Sequence, residues 1–224
     1  MKITFLGHSG FTLEESQSTL LIDPWLTGNP VADTGLDSLN PSLILVTHGH
    51  ADHLGDAIEI SKRFGAEILG VFELANYCSH KGAKTIGANP GGKIKFDFGW
   101  VKLVPAIHSS SFEDYYLGSA VGFLINFYGN LIYHAGDTSL TREMITLGEL
   151  YQINLAMLPI GGHFVMDCED ALTAIKWIKP QIVIPMHYNT FELLAQDEQK
   201  FKKEVESQTT SKCRLLNPGE TLSL

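Results

Sequence analysis

Residues 46–57, VTHGHADHLGDA, set three histidines and an aspartate within six positions, at His48, His50, Asp52 and His53. A solvated turn after a buried strand explains Gly49 and a carboxylate, but it has no use for three imidazoles. Holding a cation does, because imidazole and carboxylate are ordinary donors to divalent transition metals. The preceding run, SLILVTH, is short and β-rich and reads as a buried strand. The following run, DAIEISKRFG, brings Ala57, Ile58, Ile60 and Phe64 near a single helical face before Gly65 stops it. The pattern is a strand, a ligand loop, then a helix.

The rest of the chain repeats that grammar. The opening, KITFLGHSGFTLEE and then STLLIDPWL, reads as paired strands about a polar turn. AEILGVF predicts a strand, ELANYCSHKG a helix, and GKIKFDF and WVKLVPAIH two more strands. A second half begins near Ala120, where AVGFLINFYGNLIYHAGD predicts a hairpin turned at residues 128–130 and INLAMLPIG a buried strand. Residues 170–178 are expected to be helical and closed by Pro180. QIVIPMH predicts a strand, DEQKFKKEVES a charged surface helix, and CRLLNPGETLSL a terminal strand pair around a Pro-Gly turn. Strands arriving in two runs, each followed by helices, predict an α/β fold of the αββα sandwich type. A single domain over residues 1–224 is expected, with two roughly equivalent halves but no clear sequence repeat.

Composition narrows the partners. Sixteen Lys plus Arg against 25 Asp plus Glu leave a formal charge of −9, and no basic run offsets it. Long nucleic acids and anionic membranes are therefore not expected partners. No apolar run approaches the roughly 20 residues of a spanning helix, and the N-terminal MKITFLGHSGFTL is not expected to be a signal peptide. Cys78, Cys168 and Cys213 are odd in number and lack a C-x-x-C, which argues against a disulfide framework or a thiolate metal site and fits a reducing cytoplasm. A small-molecule substrate is expected, and self-assembly into a homo-oligomer is left open.

The informative regularity is positional. His48 follows LILVT, His108 follows LVPAI, Asp137 follows LIYHAG, His187 follows VIPM and Asp23 follows LLI. Each sits at the exit of a predicted buried strand, where a rigid scaffold most often carries its site. Five His and two Asp are too many for one catalytic zinc, which takes three protein ligands and a water, and they suit two divalent ions. Zinc is the first choice; manganese, iron, cobalt or nickel would accept the same donors.

These residues resemble the metallo-β-lactamase superfamily, whose dinuclear hydrolases carry the H-x-H-x-D-H loop. AIHSSS, YHAGDT and PMHYNT match its later His, Asp and His motifs in order, and FLGHSGF, IDPWLTGNP, PIGGHFVMD and MHYNTF are similar to stand-alone hydrolases related to L-ascorbate-6-phosphate lactonase. The resemblance implies His48, His50 and His108 on one ion, Asp52, His53 and His187 on the other, and Asp137 bridging. It places Asp23 behind a ligand, orienting an imidazole through its far nitrogen. Within these 224 residues neither the insert of nucleic-acid-processing relatives nor an added thiolester-binding domain is expected, and the His50 position is not the Glu of flavo-diiron relatives, so RNA processing, thiolester hydrolysis and oxygen reduction are not the expected activities.

Two bridged cations lower the pKa of a shared water from about 15.7 towards 7 and polarise the substrate oxygen. The expected reaction is hydrolysis of a small lactone or ester, phosphorylated in one version, by a metal-bridging hydroxide, with Asp52 counted among the catalytic residues as well as the ligands. Alternatives are a small phosphodiester hydrolase, on cyclic or dinucleotides, and a non-catalytic metal-dependent binding module. His163, after two glycines, is the candidate acid for the leaving alkoxide. His8 and His134 are expected to line the pocket or orient a ligand, and His80 to lie on the surface. Ser109, Ser110, Ser111, Tyr115, Tyr116, Asn189 and Thr190 are candidates for contacting substrate hydroxyls or phosphate. Arg142 is the one placed cation, with a surface role as its plainer reading, while Phe164 and Met166 are expected in a pocket wall or the core.

Overall fold

The computed structural model describes residues 1–224, which divide into two compact units. The first comprises Met1–Pro90, Ser109–Ala120 and Leu216–Leu224; the second comprises Gly91–His108 and Val121–Leu215.

The first unit holds a seven-stranded mixed sheet in the order Thr221–Ser223, Lys2–Gly7, Gly10–Glu15, Ser18–Ile22, Leu43–Leu45, Glu67–Val71, Lys84–Ala88. The first three pairings are antiparallel and the last three parallel. Leu20, Leu21, Ile22, Ile44 and Leu45 are fully buried, which is why these strands read as continuous apolar runs rather than alternating ones. On one face Leu21, Ile44, Val46 and Ile68 meet Ala57 and Ile60 of the helix Ala57–Phe64 and Leu74, Tyr77 and Cys78 of the helix Phe72–His80. Each such large side chain contributes about 1.5–3 kcal/mol by leaving water.

Direction in the sheet decides where the loops emerge. Ser18–Ile22, Leu43–Leu45 and Glu67–Val71 run parallel, and Lys2–Gly7 is two antiparallel steps from Ser18–Ile22 and so runs the same way. The exits at His8, Asp23 and residues 46–56 therefore share one edge of this sheet.

The second unit repeats the scheme. Its seven strands lie in the order Lys212–Cys213, Ile182–Met186, Leu155–Pro159, Asn130–His134, Val121–Phe127, Gly99–Pro105, Ile94–Phe96, with three parallel pairings followed by three antiparallel ones. Gly99–Pro105 runs with Asn130–His134 by the same two-step rule, so the exits at His108, Asp137, residues 160–163 and His187 share one edge of this sheet. Leu124, Tyr133, Ala156, Leu158 and Val183 bury against the helices Glu143–Leu150, Cys168–Ile178 and Glu198–Gln208 through Met144, Leu147, Ala171, Ile175, Phe201 and Val205. Gly148 makes one contact possible, since a Cβ there would lie 2.1 Å from the Trp177 carbonyl oxygen.

Most predicted elements are found, with instructive differences. The turn of the second-half hairpin has positive φ at Tyr128 (49°) and Gly129 (89°), as a two-residue hairpin loop requires. The helix predicted from residue 170 starts at Cys168, because Asp167 Oδ1 caps it by accepting from the backbone N–H of Glu169 and Asp170 at 3.0 and 2.9 Å. The strand Lys84–Ala88 and the helix Glu143–Leu150 were not foreseen; the first is a half-exposed edge strand with little apolar signal. The terminal segment is not a hairpin. Lys212–Cys213 extends the second unit's sheet beside Ile182–Val183, and Thr221–Ser223 extends the first unit's beside Lys2–Thr4. An open edge of a built sheet is a better partner than an isolated two-stranded ribbon.

Candidate metal centre

In the first unit the ligand loop is ordered from behind by one carboxylate. Asp23, fully buried, accepts the Thr47 backbone N–H through Oδ1 at 2.8 Å and the Thr47 hydroxyl through Oδ2 at 2.7 Å. The same Oδ2 lies 2.8 Å from His53 Nδ1. A carboxylate only accepts, so His53 carries its proton on Nδ1 and leaves Nε2 with a lone pair. The Thr47 hydroxyl, having given its proton to Asp23, accepts from His48 Nδ1 at 3.0 Å. His48 therefore also presents a basic Nε2. One buried carboxylate sets both tautomers, as an orienting group behind metal-bound imidazoles does.

His48 Nε2 lies 3.0 Å from His50 Nδ1, and the other nitrogen of His50 lies 3.2 Å from Ser109 Oγ. Two nitrogens about 2.0–2.1 Å from one zinc ion at a tetrahedral angle are about 3.3 Å apart, so this pair sits at ligand spacing. His8 Nε2 reaches Asp52 Oδ2 at 3.1 Å, and His8, Asp52 and His53 each offer an atom within 4.8 Å of the others. The His8 ring stands edge-on to Trp25, 5.2 Å between centroids. The loop is anchored by Gly49, whose N–H donates to buried Ser110 Oγ at 3.0 Å, and by Asp56, whose Oδ2 accepts from Leu26 N–H and Thr27 N–H at 2.8 Å each. Sequence reading missed Asp56 as an anchor; its signal was the IDPWLTGNP stretch, which the carboxylate ties down.

In the second unit one carboxylate oxygen serves two imidazoles. Asp137 Oδ2 lies 3.0 Å from His187 Nε2 and 3.5 Å from His108 Nε2, with Asp137 and His187 each 2% exposed. The Asp137 turn is shaped by His134, whose Nδ1 accepts the Gly136 N–H at 3.2 Å. Thr138 then fixes the neighbouring loops, accepting Ile107 N–H through Oγ1 at 3.0 Å and Met166 N–H through its carbonyl at 3.0 Å.

Backbone strain gathers at these residues. Nine residues other than glycine have positive φ, and five of them are His8, Asp23, His163, His187 and Asn189. Each costs on the order of 1 kcal/mol or more and persists only where the surroundings enforce it, which is typical of functional sites.

The donors suit divalent metal. All are imidazole nitrogens or carboxylate oxygens, mostly buried, and the His48 and His53 tautomers leave a basic Nε2 on each.

A family model described as "Beta-lactamase superfamily domain" matches residues 2–187. The chain belongs to the metallo-β-lactamase superfamily. A UPF0173 metal-dependent hydrolase of Heliobacterium modesticaldum is 48% identical, over 100% of this chain and 98% of that protein. Its counterpart in Desulforamulus reducens is 50% identical over 100% of both. Igni18, a metallo hydrolase from Ignicoccus hospitalis, superposes with a TM-score of 0.92 at 43% identity, covering 99% of this chain and 97% of that one. An isothiocyanate hydrolase from Delia radicum gut bacteria, with a TM-score of 0.81 at 18% identity, shares the fold alone. The expected α/β sandwich class stands, and the chain is a metal-dependent hydrolase. The non-catalytic module falls away.

Other candidates in this member of the superfamily are placed as follows. His163, at φ 52°, is exposed, with its ring against exposed Phe164. Met166 is core, and His80 and Arg142 are exposed. Asn189 uses its side chain locally: Nδ2 donates to Gln196 O and Glu198 Oε2 at 3.3 and 3.1 Å, and Oδ1 accepts Gln196 N–H at 2.8 Å. Thr190 Oγ1 turns to the Tyr188 carbonyl at 3.5 Å. The three cysteines are free thiols. Burial pushes Cys78 and Cys213 up to about 12 and half-buried Cys168 up to about 11, so none is a ready thiolate ligand. No helix is long and apolar enough to cross a membrane.

Proposed function

We propose that the donors of the two units serve one dinuclear centre, with His48, His50 and His108 on one ion, Asp52, His53 and His187 on the other, and Asp137 shared, and that it hydrolyses a small lactone or ester. The observation that carries this reading is Asp137 Oδ2, which approaches His108 and His187 together, as a carboxylate shared by two sites does. Zinc is the ion proposed first, since neutral imidazole dominates the set; manganese, iron, cobalt and nickel are alternatives. Bound divalent ions supply an activated water and charge stabilisation at the substrate oxygen.

The chain's own residues do the rest. Asp23 and Thr47 hold the His48 and His53 tautomers, His8 steadies the Asp52 carboxylate, and Ser109 takes the outer proton of His50. His163 supplies a proton to the leaving alkoxide from an exposed turn. Gly161 sets that turn in place, because a Cβ there would lie 2.2 Å from the His187 carbonyl oxygen.

Charge favours an unphosphorylated substrate. Across the loops at residues 7–10, 23–30, 47–56, 106–118, 135–142, 160–167 and 187–197, Arg142 is the sole Lys or Arg, and it is exposed. A phosphate group is ordinarily met by Arg or Lys.

The test is steady-state hydrolysis by zinc- and manganese-loaded protein of a lactone and ester panel against a model phosphodiester, with Asp52→Ala as the blank. Ester or lactone turnover that disappears in the blank supports the proposal. Selective phosphodiester turnover replaces it with the small-phosphodiester reading.

A further inference from the structure

We infer that the groove between the helix Phe72–His80 and the short hairpin Ser111–Phe112/Tyr115–Tyr116 is the subsite for a flat, uncharged ring on the substrate, so that the esters or lactones taken are aryl or similarly ring-bearing. The inference rests on the ester or lactone reading of the centre above. The groove has a volume of about 460 Å³, with Phe72, Tyr77, Tyr115, Tyr116 and Leu117 among its lining residues. That volume lies within the range of small-ligand sites, about 300–1,000 Å³.

Its walls are exposed aromatics that nothing within the unit covers. The first unit exposes four large apolar side chains, Phe72 at 58%, Tyr115 at 55%, Tyr116 at 69% and the C-terminal Leu224 at 38%. Three of the four line this groove, and a concentration of that kind marks a binding surface rather than scatter. The back wall is rigid: the Tyr77 ring packs against Tyr115 and Phe112 with centroids 5.3 and 6.1 Å apart. Flat rings stack on such walls in offset or edge-on geometry.

The groove is built onto the ligand loop. The hairpin leaves from Ser110, whose Oγ holds Gly49 N–H, and returns at Leu117, whose N–H donates to the Ser110 carbonyl at 2.9 Å. Leu117 lines the groove and also packs on Gly49, where a Cβ would lie 2.7 Å from Leu117 Cδ1. One side chain therefore separates the groove from the His48–His50 turn, and Ser109, beside the hairpin, touches His50. A ring in the groove would therefore lie one side chain away from that turn.

Charge complementarity selects an uncharged ring. Lys81 and Glu73 give the groove one charge of each sign, and the Lys81 ammonium is held over the Tyr77 face, 5.2 Å from its centroid. A carboxylate or phosphate on the ring would meet Glu73 as well as Lys81.

The experiment uses metal-loaded protein and two readouts. The first compares kcat/KM for phenyl acetate and methyl acetate in the wild type and in the Tyr115→Ser/Tyr116→Ser variant, both substitutions lying on an exposed hairpin that the core does not need. A roughly tenfold or larger fall in the aryl-over-alkyl ratio, carried by KM, is expected from losing two stacking faces. The second maps binding of 2-naphthol by amide chemical-shift changes. Shifts confined to residues 72–81 and 112–118, absent in the variant, support the subsite. An unchanged ratio, or naphthol shifts elsewhere or nowhere, overturns it. Naphthol binding in the groove without turnover of any ester or lactone would sink the hydrolytic reading instead and overturn the groove's role as a substrate subsite.

Discussion

Substituting Asp23→Asn leaves volume nearly unchanged and isolates the tautomer argument. The wild-type carboxylate accepts three hydrogen bonds, from Thr47 N–H, Thr47 Oγ1–H and His53 Nδ1–H. An asparagine whose oxygen stays on Thr47 N–H turns an NH2 towards the other two. His53 must then move its proton to Nε2, and the Thr47 hydroxyl, accepting from the amide, turns its own proton on His48 Nδ1 and drives that proton to Nε2 as well. Both liganding nitrogens become blocked. The flipped amide preserves the tautomers but opposes an NH2 to Thr47 N–H in a fully buried site, at about 1–3 kcal/mol. In the first arrangement the cost falls on metal binding, by about 10–100-fold, equivalent to about 1.4–2.7 kcal/mol; in the flipped one it falls on folding stability. Competition with a chromophoric zinc chelator measures the first directly, and the urea midpoint the second. An Asp23→Asn protein that holds zinc within twofold of wild type and also keeps the wild-type urea midpoint would refute the claim that Asp23 sets the ligand tautomers.

Four further outcomes are expected. Ser110→Ala leaves the Gly49 N–H without its acceptor in a buried position and should lower stability by about 1–3 kcal/mol, read from the urea midpoint. Gly161→Ala drives a methyl group into the His187 carbonyl, and a loss of at least tenfold in turnover is expected together with overpacking of about 1–3 kcal/mol on the Tm. His163→Gln should slow esters with poor, alkoxide leaving groups far more than activated aryl esters, because only the former need the proton; equal slowing of both would remove His163 as the acid. The folded state raises the Cys78 and Cys213 thiols from 9.0 to about 12, so their contribution to stability is level below pH 9 and is lost as pH rises from 9 towards 12. A Tm profile from pH 7 to 10.5 should decline above 9, and less steeply in Cys78→Ala.

Much of the candidate site was legible because the proposed ligands sit where buried strands end. His48, Asp137 and His187 follow apolar runs that parallel pairing aligns at one edge of each sheet, and a run of that kind is visible in one dimension. The anchors were less legible. Ser110 was only a generic loop hydroxyl candidate, and Asp56 and Gln196 were not singled out. Gln196 Nε2 donates to the Gly161 carbonyl at 3.1 Å, and neither its partner nor that of Asp56 is near it in sequence. Asn189 illustrates the converse: it follows a ligand closely enough to suggest substrate contact, yet its amide fastens its own loop. The terminal strands misled because a Pro-Gly turn between two short β-rich runs suggests a hairpin, whereas the open edges of two sheets draw the runs apart.

The most direct measurement is the metal content per chain of dialysed wild type and Asp137→Ala by elemental mass spectrometry, with hydrolysis followed on the same samples. Two divalent ions per wild-type chain, falling to one or fewer in Asp137→Ala with loss of turnover, is the expected result. Full turnover at one ion per chain, or two ions retained without Asp137, would contradict a shared dinuclear centre.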